Sequence, residues 1–202
     1  MAPRFIARQL ARPQGFPGRL IGRLMNWHNA EMNAFAVRRL DLKATDHVLE
    51  IGFGGGLNLP ALIESAAFVG GVDRSDDVTD WARAKYPDAI AAGRAEFRVG
   101  RVEALPFEAA SFDKVCTVNT VYFWESLHAG FAEIRRALVP GGRAVVGFLP
   151  KVHMQRKGMP ADIFTLRSAE DVIAALAEAG FRDVQTARPQ PDTPWNLMIA
   201  TS

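Results

Sequence analysis

A bare bend at residues 52–56 constrains this chain more than any other feature. His47-Val48-Leu49-Glu50-Ile51 reads as a short strand, and Gly52, Gly54, Gly55 and Gly56 cut it off at once. Glycines this dense cost backbone entropy, so they mark a place where the chain turns tightly and must come close to something else. A helix follows, with Leu57, Leu59, Leu62 and Ile63 on its apolar side and Pro60 tolerated in its first turn. Strand, glycine bend and helix together form the first unit of an alternating α/β chain.

The alternation continues to the end of the sequence. Phe68–Asp73 is a second strand ending in an acid, and Asp76–Lys85 is a helix that stops near Pro87. Residues 97–99 and 112–118 read as strands, and 127–138 as a helix that Pro140-Gly141-Gly142 halts before a strand at 143–149. Ser168 is placed to cap a helix running through Ala179, with Glu170 and Asp171 in its first turn and Gly180 at its end. Residues 184–187 and 197–201 then form a hairpin across a turn containing Pro189, Pro191 and Pro194. The predicted fold class is α/β: a doubly wound, seven-stranded, mainly parallel sheet with an antiparallel C-terminal hairpin at one edge. Such sheets bind ligands beyond the carboxyl ends of their strands, which places functional residues just after Ile51, Val72, Val99, Val118 and Phe148.

Composition narrows the alternatives. A chain of 202 residues, 49% hydrophobic and 23% charged, suits one globular domain with a real core. No apolar run reaches the roughly 18 residues of a membrane span. The single cysteine, Cys116, excludes an internal disulfide and a cysteine-type zinc cluster. Without a signal-peptide core at the start, the expected location is cytoplasmic. The net charge of +2 hides an asymmetry: Arg4, Arg8, Arg12, Arg19 and Arg23 precede the first acid, Glu31. We read residues 1–45 as an N-terminal arm with a cap helix and residues 46–202 as the ligand-binding domain. The arm suits either plain solvation or a role facing the substrate or, by peripheral contact, a membrane. With no long basic patch elsewhere, a nucleic-acid partner is disfavoured. The oligomeric state is not encoded in any recognisable pattern.

Glu50, Gly52, Gly54 and Gly56 spell E-x-G-x-G-x-G. A dinucleotide fingerprint needs its third glycine at the position of Leu57, so that match fails. Asp73 lies 21 residues beyond Gly52 at the end of the second strand, where a carboxylate can accept both hydroxyls of an adenosine ribose. Nicotinamide and S-adenosylmethionine (SAM) binders both use such an acid. The plainer alternative is a surface carboxylate facing Arg74.

With these motifs in view, the chain resembles the class I SAM-dependent methyltransferases, in the small-molecule branch that includes the ubiquinone and menaquinone biosynthesis enzymes. The resemblance rests on V-L-E-I-G-F-G-G-G at 48–56, G-V-D at 71–73, E-A-L-P-F at 103–107, F-D-K-V at 112–115 and L-V-P-G-G-R at 138–143, and covers residues 46–201. It implies SAM as cofactor, with the 52–56 loop holding its methionine portion, Glu50 near the ammonium group and Asp73 on the ribose. It also implies that the Val102 backbone N–H faces the adenine and that residues 119–122, from Asn119 to Tyr122, form the floor beneath the methyl group. Arg74, Arg101 and Glu103 join the cofactor-binding candidates. One departure stands out: where the family often carries an aspartate that accepts from the adenine amino group, this chain has Arg101, which can only donate. Asn119-Thr120-Val121-Tyr122 also lacks both prolines of the Asn-Pro-Pro-Tyr motif used to methylate planar nitrogen.

Methyl transfer from a sulfonium is an in-line displacement that needs no protein nucleophile. Orientation at an approach of about 3–3.5 Å can supply roughly 7–11 kcal/mol of the barrier. Cys116, inside a strand, reads as a core residue. An acceptor hydroxyl or acidic carbon would benefit from a base, and the candidates for catalysis are Tyr122, His128 and His153, with His28 in the arm. His47 lies at the wrong end of its strand. The acceptor pocket should come from residues 15–40, with Leu24, Met25, Trp27, Met32 and Phe35, and from residues 150–167, with His153, Met154, Met159 and Phe164. Both covers are short, which points to a small, partly apolar acceptor. The competing functions are a SAM-binding regulatory module without turnover and a nicotinamide-dependent oxidoreductase.

Overall fold

A computed structural model describes residues 4–11 and 29–202. Arg12, Arg19, Arg23, Leu24, Met25, Trp27 and His28 of the expected arm and cap lie outside the described residues. The chain runs α1 (Arg4–Ala11), α2 (29–40), β1 (His47–Ile51), α3 (Leu59–Ser65), β2 (Phe68–Asp73), α4 (Asp76–Lys85), α5 (Pro87–Ala91) and β3 (Ala95–Val99). It continues with β4 (Phe112–Val118), a 3₁₀ turn (Val121–Phe123), α6 (Leu127–Ala137), β5 (Leu138–Phe148), α7 (Lys151–Arg156), α8 (Ala169–Glu178), β6 (Arg182–Ala187) and β7 (Asn196–Thr201).

The seven strands form one sheet in the order β3-β2-β1-β4-β5-β7-β6. The first five are parallel, whereas β7 runs antiparallel to both β5 and β6. The α/β class and the edge hairpin agree with the sequence pattern. Strand order reverses between β1 and β4, so their carboxyl ends open the crevice in which such sheets hold ligands.

Local chemistry explains why the elements start and stop where they do. β1 is buried from Val48 to Ile51, as expected for a central strand covered on both faces. Gly70 and Gly71 in β2 leave room for neighbouring rings: a Cβ would sit 2.8 Å from Phe112 at one and 2.6 Å from Phe97 at the other. α8 opens on a reciprocal capping box between Ser168 and Asp171, and Gly180, at φ +88°, lets the chain leave the helix. α2 turns Met32, Phe35, Ala36 and Leu40 inward at helical spacing, and the Phe35 ring meets that of Trp195 tilted, with centroids 5.6 Å apart.

The structure overturns one boundary of the sequence reading and adds two short helices to it. Pro140-Gly141-Gly142 does not separate helix from strand but lies inside β5, where the register with β4 jumps from Phe112↔Leu138 to Lys114↔Arg143. Gly141 sits at φ +79°, and the three residues form an irregularity that the ladder absorbs. α4 stops before Pro87 as read, and Pro87 then begins a further short helix, α5, because its fixed φ suits a first turn. Residues 150–167 contain a helix, α7, where only a cover segment was expected.

Candidate functional site

A cavity of about 600 Å³ opens at the carboxyl ends of β1, β2 and β4, within the range of small-molecule sites. Its floor is the loop after β1. Gly52 (φ +69°) and Gly54 (φ +47°) adopt a left-handed backbone that side chains disfavour. A Cβ on Gly52 would meet Thr120 Cγ2 at 2.4 Å, so that glycine is required by the neighbouring loop. A Cβ on Gly54 would meet nothing nearer than 4.0 Å, so this glycine keeps open space open. Gly56 is different: it does not line the cavity, and a Cβ there would strike the Trp81 ring at 2.7 Å. Its role is packing between loop and α4, not the ligand clearance that the motif alone suggested.

Two buried carboxyls flank this loop. Asp73 Oδ2 accepts the Gly54 N–H at 2.9 Å and Oδ1 accepts the Ser75 N–H at 3.0 Å. Burial raises its pKa, while those N–H groups and the charge of Arg74 pull it back. With the Arg74 N–H bonding it as well, the carboxyl keeps acceptor capacity for a further donor. Glu50 Oε1 accepts the Asn58 side-chain amide at 2.8 Å, whereas the buried Oε2 has no hydrogen-bond partner among the described residues. Burial pushes this carboxyl to about 8, the bond from Asn58 opposing and the nearby charge of Asp73 adding. An orphaned carboxylate oxygen facing a glycine-lined space is built for a cationic donor.

The loop after β3 forms a second wall. The exposed Arg101 pairs with Glu125 at 2.5 Å and approaches Glu103 at 3.7 Å, and Glu103 Oε1 accepts the Glu125 N–H at 2.7 Å. Arg101 thus ties the loops after β3 and β4 together, and Val102 beside it is buried. Arg74, exposed at the end of β2, also lines the cavity.

The loop after β4 holds the third. Asn119, at φ +59°, donates its N–H to Gly147 O at 2.7 Å, and the Thr117 and Thr120 hydroxyls meet at 2.5 Å. Tyr122, Phe123 and Trp124 all line the cavity. The Tyr122 hydroxyl accepts the Leu149 N–H at 2.5 Å and has Leu149 O and Asn119 Oδ1 each at 3.2 Å for its own proton. Burial drives its pKa upward, against the opposing bond to Leu149. The ring therefore belongs to the site, but the hydroxyl is engaged in holding the backbone and is no proton acceptor at neutral pH.

The two histidine candidates are not brought together with these groups. His128 is exposed on α6 and His153 sits on α7, and neither lines the cavity. α7 turns Met154 toward it instead, and Lys157, just past the end of α7, joins the lining. Met32, Met159 and Phe164 line it as the sequence anticipated, whereas Phe35 packs behind, against Trp195. Sequence reasoning missed Trp195 with Thr193 and Pro194, and Asn29, Glu31 and Asn33 on α2. The signal for Trp195 was available: an aromatic directly after a proline-rich turn, at the carboxyl end of the sheet.

These groups fit SAM: a buried carboxyl with an unpartnered oxygen for its ammonium, a bare loop for its methionine chain, a second carboxyl for a ribose diol, and aromatic faces for a sulfonium. Among the described residues no cluster of ligands suits a metal ion, and no helix is long and apolar enough to cross a membrane.

Comparison with known proteins agrees. A family profile described as a methyltransferase domain matches residues 49–146. The chain is 28% identical over 168 residues to the uncharacterized methyltransferase YdaC of Bacillus subtilis, covering 82% of this chain and 87% of that protein. It is 28% identical over 115 residues to the ubiquinone/menaquinone biosynthesis C-methyltransferase UbiE of Geotalea daltonii, covering 55% of this chain and about half, 49%, of that one. In structure it is similar to the putative methyltransferase in complex with the Haloferax volcanii Trm112 methyltransferase activator, at a TM-score of 0.72, 21% identity, and 97% and 96% coverage of the two chains. Motif order, sheet topology, loop geometry and these matches together make the chain a class I SAM-dependent methyltransferase.

Proposed function

We propose that this enzyme methylates a small, partly apolar acceptor bound between the cofactor loop and the covers formed by α2, α7 and the β6–β7 turn. The observation that carries the reading is the continuity of the cavity, which runs from Gly52, Gly54, Asp73 and Glu50 to a wall of Met32, Met154, Met159, Phe164 and Trp195. An apolar, flexible wall of thioethers and rings suits a small organic molecule better than a folded polymer. The likeness to UbiE, a C-methyltransferase of quinone biosynthesis, supports the same class of acceptor.

Within this proposal Asp73 takes the ribose hydroxyls, Glu50 neutralises the ammonium, and the 52–56 loop closes over the methionine chain through Gly52 and Gly54. Val102 presents its backbone to the adenine, with Arg74, Arg101 and Glu103 bounding that end and Asn119 holding the floor. Bound there, the cofactor supplies an activated methyl group on a positive sulfur. The rings of Tyr122 and Phe123 border that charge and exclude water, and orientation supplies most of what the protein must add. Residues 1–45 serve as the cap and residues 46–202 as the cofactor-binding unit.

Transfer of a labelled methyl group across a panel of phenols, quinols, thiols and amines tests the reading. Methylated product from at least one apolar member is expected. Turnover confined to protein or nucleic-acid substrates would overturn it.

A further inference from the structure

Large apolar side chains stand exposed at four described positions, Phe5, Val99, Val152 and Ile173, and two of these belong to the helices that border the cavity. α1 turns Ala7 inward and brings Leu10 to the cavity, which leaves Arg4, Phe5 and Arg8 together on its outer face, with Phe5 57% exposed. α7 turns Met154 inward and leaves Val152, 49% exposed, one turn before Arg156 on its outer face. An ion pair of 2.9 Å from Arg4 to Asp162 joins α1 to the segment that follows α7.

Charge is divided unevenly along the same line. Residues 4–11 and 150–167 hold six basic residues, Arg4, Arg8, Lys151, Arg156, Lys157 and Arg167, and one acid, Asp162. The described covers of the cavity are thus locally basic in a chain of net charge +2. Exposed apolar groups flanked by arginines are what a lipid interface selects: guanidinium groups meet phosphates while the apolar side chains enter the boundary of the acyl region. A nucleic acid would use the charge but gain little from isolated Phe5 and Val152.

We propose that α1 and α7 form the face by which the protein docks on an anionic lipid surface, with the mouth of the cavity turned toward the bilayer. The inference goes beyond the identity of the acceptor and would stand for any acceptor reached at a membrane.

Sedimentation of the full chain with vesicles of phosphatidylcholine alone, or with an equal part of phosphatidylglycerol, tests it. The protein is expected to sediment with the anionic vesicles only, and to be released by salt. Arg8→Glu with Arg156→Glu should lower partitioning by at least roughly tenfold, and Phe5→Ser with Val152→Ser should lower it several-fold at low salt. Both pairs should keep the thermal midpoint and the affinity for SAM measured in the same samples, which separates this proposal from the cofactor assignment. Absence of sedimentation, or binding that neither pair weakens, would overturn it. So would polyuridylate binding as tight as vesicle binding and indifferent to the Phe5 and Val152 changes, which would mean a general polyanion surface. If the charge-reversed pair does not fold, Arg8→Gln with Arg156→Gln is expected to show the same direction with a smaller loss.

Discussion

Asn58 donates its side-chain amide to Oε1 of Glu50 at 2.8 Å, while Oε2 of the same buried carboxyl has no partner among the described residues. Half-satisfied, the group favours its neutral form, and burial raises its pKa from 4.5 to about 8. The folded protein therefore keeps a proton that the unfolded chain releases above about pH 4.5. Stability of the cofactor-free enzyme should fall as pH rises from about 5 to about 8 and then level off, by an amount on the order of a few kcal/mol. Glu50→Gln, which preserves an acceptor for Asn58, should abolish most of that slope. Melts across pH 5–9 check this: the variant should match the parent near pH 5 and exceed it at pH 8.

The same carboxyl makes cofactor binding pH-dependent. If it neutralises the ammonium of SAM, it must ionise on binding, so about one proton leaves at neutral pH. Calorimetry in buffers of different ionisation enthalpy should detect this release near pH 7, and affinity should rise between pH 6 and 8. In Glu50→Gln both effects should vanish along with part of the affinity.

Tyr122 was a candidate for catalysis, and its geometry argues for a different role. Its hydroxyl holds the Leu149 backbone at the start of the cover segment. Tyr122→Phe leaves that buried N–H unsatisfied, and the cost should be about 1–3 kcal/mol of stability. The shape of the pH–rate profile should be unchanged, because the hydroxyl does not titrate in the working range. Loss of a limb of the profile would restore it as a base.

The outline of the fold was legible because local signals and global packing agree along β1, β2 and β4 and at the Ser168 cap. The glycine bend and the acid of the proposed cofactor end were legible for the same reason: both lie at strand ends where topology needs them. What escaped depended on partners distant in sequence. Pro140-Gly141-Gly142 has the chemistry of a helix stop, and only its pairing with β4 makes it an irregular strand. The bond from Tyr122 to Leu149 spans 27 residues, and the pairing of Arg101 with Glu125 depends on two loops meeting. Whether His153 or Lys157 faces the cavity depends on how a six-residue helix docks, which its own sequence does not specify.

Asp73 serves its loop as well as any ligand. It fixes the N–H groups of Gly54 and Ser75, so substitution acts on both the shape of the site and its contacts. Asp73→Ala should weaken SAM binding by about 1.5–3 kcal/mol. Asp73→Asn, which keeps one acceptor and loses the charge, should fall between. Titration with SAM and with S-adenosylhomocysteine should give parallel losses, since the ribose is common to both. An unchanged affinity in the alanine variant would remove Asp73 from the site.

Gly54 and Gly56 separate ligand clearance from packing within one loop. Both have positive φ, so alanine at either strains the backbone by about 1 kcal/mol. At Gly54 the added methyl group projects into open space, and its main effect should be on SAM affinity, with a small shift in melting temperature. At Gly56 it meets the Trp81 ring at 2.7 Å, and the loop must move away from α4. Gly56→Ala should therefore cost more stability than Gly54→Ala, in the range of about 1–3 kcal/mol beyond the backbone strain. Trimming the ring, as in Gly56→Ala with Trp81→Leu, should recover part of that excess. Paired melting and binding curves for the three variants distinguish the roles: if Gly54→Ala melts lower than Gly56→Ala and binds SAM as the parent does, the division is reversed.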